Sequence, residues 1–407
     1  MPRPYSMKKL AVILGKVLVC LALFALLVVI GTSVSPIYKF REPQPFSGPD
    51  IFNPYRNLDT AKCWKRALFH CHTRVKGPFP PNECELWPGE TYEVLEKLGY
   101  DIVTFSNHNE LTTHPFDTSL QVNVYEHGWS PFKFHKLVFG SSRVNYFDPL
   151  LPLLASQKQL ELDYLGAESD FIQINHPYRT IGTCKDHFQK LSGYEIMELD
   201  SGHGTQNEYW DWALSAGHYS FGLANDDLHH PTISKKTAVR CNFLCTEGAT
   251  YKDIKETLLG GCYYAMRVPD YGNGDWAIKT EMNHHLPCIK DIGLRDDGTI
   301  YLLLSEVADS IRVNGQDHRV LALEKDTDRL EYQMAAEDSY ARITAYFPGK
   351  EVIYTNPFAR YDKALADSPF NNAQQKLNIP LTVLYNMLVL ILFAAVLVLI
   401  KKTIKKK

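Results

Sequence analysis

The segment ALFHCHT, residues 67–73, puts two imidazoles one residue apart at the end of a short apolar run. On an extended strand side chains alternate with period two, so His70 and His72 share one face and Cys71 takes the other. One cation could take both imidazoles. A lone His-x-His pair is as readily structural, so its weight depends on further ligand-type residues at equivalent positions. Of fifteen histidines, twelve fall between positions 70 and 230. His108 follows the run DIVTFSN, Glu126 lies in VYEHGW and His135 in KFHKLVFG. His176 ends FIQIN and opens HPYR, while Asp227 and His229 lie in LANDDLHHP, after YSFGLA. Imidazoles and carboxylates without thiolates suit Zn, Mn or Fe. Two cations bridged by one carboxylate can generate hydroxide near neutral pH and clamp a phosphate for in-line attack. Charge developing on phosphoryl oxygens calls for a nearby cation. Arg179, three residues beyond His176, is the first candidate for that catalytic role, ahead of Arg74 and Lys76.

These residues need elements to position them. Between residues 60 and 235 short apolar runs at 67–69, 101–105, 134–139, 171–174, 194–199 and 219–224 read as strands. Helical patterns at 90–98 and 208–216 lie between some of them. This alternation predicts a parallel α/β sheet or barrel. The candidate ligands follow the strand runs, which is how a barrel enzyme assembles a site from distant positions. One more helix is expected at 250–259, then alternating segments at 299–304, 310–313, 341–346 and 351–355, the pattern of a small antiparallel β domain.

Length and composition bound the answer. The 407 residues, 45% apolar and 22% charged, suit a globular protein of more than one unit, and a net charge of −3 argues against a nucleic-acid binder. Residues 17–30 are uninterrupted apolar behind Arg3, Lys8, Lys9 and Lys16. Residues 379–400 carry no charge and precede KKTIKKK. The second segment is long enough to cross a hydrocarbon core of roughly 30 Å. The first lacks a small-x-small cleavage pattern after Ile30, which favours an uncleaved anchor over a signal peptide. The basic flanks keep both chain ends in the cytoplasm, so the residues between them belong on the extracytoplasmic side. There an oxidising compartment permits disulfides, but spacing does not pair the nine cysteines, and Cys241 and Cys245 lack the second pair that a zinc site needs. The expected organisation is an anchor at 10–31, a linker at 32–62, a metal-binding barrel at 63–240, the end of the barrel and a β domain at 241–362, a transmembrane helix at 379–400 and a basic tail at 401–407.

Taken together, HCHT (70–73), SNHN (106–109), Glu126, NHPYR (175–179) and DDLH (226–229) resemble the PHP superfamily, the polymerase-and-histidinol-phosphatase group of metal-dependent phosphoesterases. The resemblance covers about residues 64–240, and YTNP (354–357) resembles the β region that follows some PHP barrels. It implies a distorted (β/α)7 barrel holding two or three metal ions. Carried over residue by residue, His70, His72, Glu126 and Asp227 would hold one ion. Glu126 would bridge to a second ion held by His135 and His176, and His108 and His229 match residues of a third site. Two departures weigh against the third ion. The histidine that completes that site is missing from TRVKGPF (73–79), and Asn107 stands where the family has Asp. Two ions are therefore expected. Glu110, Glu198 and Asp200 are substitutes for Glu126, and His114 is a remote candidate for the missing ligand. His203 is expected only to line the pocket. His127, His187, His218 and His230 are expected in packing or at the surface, and Tyr209, Trp210 and Trp212 in the core.

The reading that follows is a membrane-anchored hydrolase acting on a phosphorylated small molecule or envelope polymer. Its alternatives are a catalytically silent barrel serving as an envelope scaffold, and hydrolysis of a C–N or C–O bond.

Overall fold

The computed structural model describes residues 7–60, 64–75, 84–370 and 375–405; Cys63 and Lys76 lie outside them. Helix α1 (Met7–Gly31) leads through strands β1 (Tyr38–Lys39) and β2 (Asp50–Phe52) to β3 (Trp64–Leu68), α2 (Pro88–Lys97), β4 (Ile102–Val103) and β5 (Val124–His127). Next come β6 (Lys136–Phe139), α3 (Ala155–Gly166), β7 (Phe171–Ile174), α4 (Lys185–Phe188), β8 (Ile196–Ser201), β9 (Gly204–Thr205), α5 (Asn207–Ser215) and β10 (Phe221–Ala224). They are followed by β11 (Arg240–Cys245), α6 (Tyr251–Gly260), β12 (Tyr263–Arg267) and α7 (Trp276–Asn283). The last part is β13 (Ile289–Leu294), β14 (Thr299–Asn314), β15 (Val320–Gln333), β16 (Tyr340–Tyr346), β17 (Val352–Thr355), β18 (Phe358–Tyr361), β19 (Lys376–Leu377) and α8 (Ile379–Lys405).

Local chemistry sets several boundaries. Pro88 opens α2, where its missing N–H costs nothing, and Glu90 accepts from the Trp87 N–H at 2.8 Å. Thr250 and Asp253 cap α6 reciprocally, and Gly261 ends it at φ 85°, a conformation that glycine adopts without a Cβ penalty.

The strands form two large sheets in a mixed α/β arrangement. One has the order β10-β8-β7-β6-β5, and the other runs β13-β14-β16-β17-β12-β11-β3-β4. The closed (β/α)7 barrel expected from the sequence is not what this pairing describes, because the sheets remain open. They touch through two isolated parallel bridges, Cys71–Leu228 and His108–Glu126. Strand β6 also runs antiparallel to both β5 and β7. A parallel crossover needs a dozen or more residues, and only the loop 128–135 joins β5 to β6, so that pair closes as a hairpin. The β-rich last part is continuous with β3, through the antiparallel pairs β17–β12, β12–β11 and β11–β3.

Two apolar cores flank β3. Ala67 and Phe69 pack with β5 to β10, whereas Leu68 and Cys71 pack with Val103, Met266 and Ile311 on the other side. A buried ion pair fastens α5 to β16: Arg342 Nε lies 2.7 Å from Asp211 Oδ1, and Tyr340 and His318 also bond that carboxylate.

Helices α1 and α8 pack side by side and are otherwise almost wholly exposed. Their apolar spans of 23 and 27 residues are long enough to cross a membrane. At roughly 35 and 40 Å they exceed a hydrocarbon core. Asn386 of α8 holds the segment that follows α1 by accepting from Ser35 N at 3.2 Å and donating to Ser35 O at 2.9 Å.

Candidate metal centre

All four residues of β5 are buried, so the strand carries Glu126 into the interior with no polar face turned outward. The Glu126 N–H bonds the carbonyls of Ser106 and Asn107, which brings the loop bearing His108 alongside. Five imidazoles then converge on this one carboxylate. Oε1 lies 3.2 Å from His70 Nε2, 3.1 Å from His135 Nδ1 and 3.2 Å from His176 Nε2. Oε2 lies 3.2 Å from His72 Nε2 and 3.1 Å from His108 Nδ1. Asp227 meets the same set from the end of β10, with Oδ1 at 3.1 Å from His70 Nε2, 3.3 Å from His72 Nε2 and 3.6 Å from His229 Nδ1.

His70 and His72 do face the same way, with ring centroids 5.2 Å apart, and Cys71 is turned into the second core. Two members of the set sit in strained backbone. His176 has φ 23° and Asp227 φ 50°, values that non-glycine residues rarely adopt. The turn at His176 is held by its own N–H, which donates to Glu198 Oε2 at 2.8 Å.

The donor set fits divalent cations. His70 Nε2, His72 Nε2, Glu126 Oε2 and Asp227 Oδ1 are buried and close to one another, yet none makes a hydrogen bond of acceptable geometry. Buried polar atoms that converge without hydrogen bonds are costly unless a cation takes them. The ligand atoms fall into three overlapping groups, each within 4.8 Å: His70, His72, Glu126 and Asp227; His108, Glu126 and His135; and His72, His108 and His229. The third group unites the two residues matched to a third site with His72. Burial works to raise the pKa of Glu126, but the surrounding imidazoles, His70 first, outweigh it and hold the carboxyl well below the usual range. Burial pushes the His135 imidazole down to about 4, so it stays neutral with a lone pair to give.

The eight residues named from the sequence as metal-ligating thus border one centre, and Arg179 reaches its edge. Its Nη1 is 3.3 Å from Asp227 Oδ2 and 2.7 Å from His203 Nε2. His203 itself approaches Asp227 Oδ2 at 3.1 Å, closer than a lining residue need come. A cleft of about 360 Å³ opens over the centre, and Lys133, Arg179, Lys235, Lys236 and Arg240 line it.

Other candidates lie elsewhere. Glu110, Glu198 and Asp200 belong to none of the three groups. Asp200 is taken up by Arg240 Nε at 2.6 Å and Arg267 Nε at 2.7 Å. Glu198 stands behind the centre rather than in it, 2.9 Å from His70 Nδ1. His114 accepts from the Asp117 N–H at 3.0 Å and packs on Tyr92, and it belongs to none of the three groups. Arg74 lies over the Trp87 ring. Asn107 is a loop tie: it accepts from Thr73 N at 2.7 Å and donates to the hydroxyls of Thr73 and Thr112. An aspartate could not donate those two bonds. The sequence did not single out Asn175, whose Nδ2 donates to Glu126 Oε1 at 2.8 Å; its place directly before His176 was the available signal.

No family model and no curated protein sequence matches the chain. Two solved structures do. One is a two-domain protein from Bacteroides vulgatus described as containing a predicted PHP-like metal-dependent phosphoesterase. It is 17% identical, with a TM-score of 0.38 over 78% of this chain and 100% of that one. The other is the lesion-specific endonuclease PfuEndoQ from Pyrococcus furiosus, 13% identical, with a TM-score of 0.33 over 48% of this chain and 56% of that one.

Proposed function

We propose that the protein is a membrane-anchored, metal-dependent phosphoesterase whose site lies on the extracytoplasmic side. The observation that carries this reading is the convergence of five imidazoles on Glu126, with Asp227 completing the set. His70, His72, His108, Glu126, His135, His176, Asp227 and His229 would hold the metal, with two ions expected. Bound there, divalent ions supply a Lewis acid that activates water and offsets charge on phosphoryl oxygens. Zn, Mn and Fe all suit this donor set.

The chain's own cations handle the substrate. Arg179 sits at the rim of the centre with its guanidinium turned to Asp227 Oδ2. It is placed to bind the phosphoryl group and to stabilise charge that develops on it. Lys133, Lys235 and Lys236 along the cleft attract an anionic ester. Glu198 and Asn175 orient His70 and Glu126 from behind.

Asn107, in place of an Asp, is one reason to weigh a catalytically silent scaffold. Its bonds to Thr73 and Thr112 give that residue a structural task outside the converging donors, which weakens the motive. The test is metal content per chain, with a panel of phosphomonoesters and diesters assayed on the full-length protein and on His176→Ala. Bound metal with hydrolysis that His176→Ala abolishes supports the proposal; bound metal with no ester hydrolysed supports the scaffold.

A further inference from the structure

Building on the phosphoesterase reading, we propose that the cleft opens at the bilayer surface and that its substrate is a phosphate monoester carried by a membrane lipid. Short polar links run from the end of α1 to the cleft. Thr32, the residue after that helix, accepts from Leu150 N at 3.4 Å. Leu150 O accepts from the Ser130 hydroxyl at 2.9 Å, and Ser130 O accepts from Lys133 N at 3.0 Å. Lys133 lines the cleft. The rim of the site is therefore fastened to the point where the apolar helix ends.

That rim carries exposed apolar side chains. Trp129 is 51% exposed, Tyr146 67% and Ile181 55%, and Phe147, Leu153 and Leu154 are exposed beside them. Trp129 and Ile181 come from the loops that carry the cleft-lining Lys133 and Arg179. Trp129 opens the loop of Lys133; Ile181 closes the loop of His176 and Arg179, and its N–H bonds Phe132 O at 2.9 Å. The Trp129 indole donates to Tyr146 O at 3.3 Å, and the Phe147 ring lies 5.0 Å from Tyr164. Contiguous exposed apolar surface marks an interaction site, and Trp and Tyr concentrate where bilayer meets water. Continuity with α1 selects the bilayer as the occupant. Basic groups in the cleft beside an apolar rim match an anionic headgroup with its acyl chains left in the membrane. In the reaction water adds its oxygen to phosphorus and the bond from phosphorus to the lipid oxygen breaks. One proton of that water ends on the lipid hydroxyl and the other stays with the released hydrogen phosphate.

The test uses the full-length, metal-loaded protein in phosphatidylcholine vesicles containing phosphatidic acid, with p-nitrophenyl phosphate as the soluble comparison. We expect the lipid to be hydrolysed more than tenfold faster than the soluble ester. Trp129→Ser combined with Ile181→Ser should lower the lipid rate by roughly tenfold and leave the soluble rate unchanged, which also shows that the variant is folded. Brominated phosphatidylcholine should quench an emission component that Trp129→Phe removes. Soluble hydrolysis with phosphatidic acid untouched, or no quenching of Trp129, overturns the lipid proposal and leaves the phosphoesterase reading standing. A rim covered by a protein partner would give that second result. If neither ester is hydrolysed, the phosphoesterase reading falls and the lipid proposal with it.

Discussion

Glu198 Oε1 lies 2.9 Å from His70 Nδ1, with both side chains fully buried, while Glu198 Oε2 accepts the His176 N–H at 2.8 Å. One carboxylate therefore fixes the ring of one candidate ligand and the strained backbone of another. It also sets the tautomer: Nδ1 of His70 carries the proton, and Nε2 is left to face Glu126 and Asp227. Glu198→Gln keeps the volume but turns an amide N–H2 toward one of these donors. Metal affinity should fall by about 10- to 100-fold, read by competition with a chelator of known affinity. Unchanged affinity would remove Glu198 from the positioning of the site.

Arg179 is expected to act on the reaction rather than on the metal. Arg179→Met should leave metal content unchanged and lower kcat by about 100-fold, the scale for losing one group that stabilises transition-state charge. A loss of bound metal would instead make Arg179 a support for Asp227, which its Nη1 approaches at 3.3 Å.

The buried pair of Asp211 and Arg342 gives a stability prediction away from the site. Asp211→Ala strands the guanidinium, which is buried, and also removes partners of Tyr340 and His318. Unfolding free energy should fall by about 3–5 kcal/mol, measured by denaturant titration. Metal stoichiometry in the surviving folded protein should not change.

His187 supplies a pH signature. Burial, helped by Lys158 and Lys190 and opposed by Asp186, pushes its imidazole from 6.5 down to about 4 in the folded chain. Between those values the unfolded state binds the extra proton, so this group's contribution to stability is present above pH 6.5 and is lost as pH falls toward 4. Denaturation midpoints taken across that window should fall less steeply for His187→Gln than for the unmodified protein. Parallel curves would contradict the assignment.

Much of the centre was legible because its residues follow strand ends, where period-two geometry and strand order constrain direction. The strand at Phe171–Ile174 was read to the residue, and the helices near 90–98, 208–216 and 250–259 lie within one or two residues of α2, α5 and α6. Strand β5 escaped notice because its residues, VYEH, include a glutamate and a histidine and so form no apolar run. The open sheets escaped it too, since hydrophobic runs do not reveal that β6 is antiparallel to both neighbours. Strand β14 was read as two segments because the polar SEVADS interrupts it. In the structure the pairing with β15 shifts register between Leu303 and Ala308, and that irregularity absorbs the polar stretch within one strand. Glu198 was visible only as a carboxylate near the site; its place behind His70 depends on a contact across 128 residues of sequence.

The account turns on metal-dependent ester hydrolysis at the Glu126–Asp227 centre. The most direct measurement is phosphate release from a phosphomonoester by the purified full-length protein, before chelation, after chelation and dialysis, and after adding back Zn, Mn or Fe. The account predicts release that chelation abolishes, that at least one of these metals restores, and that Glu126→Gln lacks under every condition. Release that survives complete removal of metal, or that persists in Glu126→Gln, would contradict it.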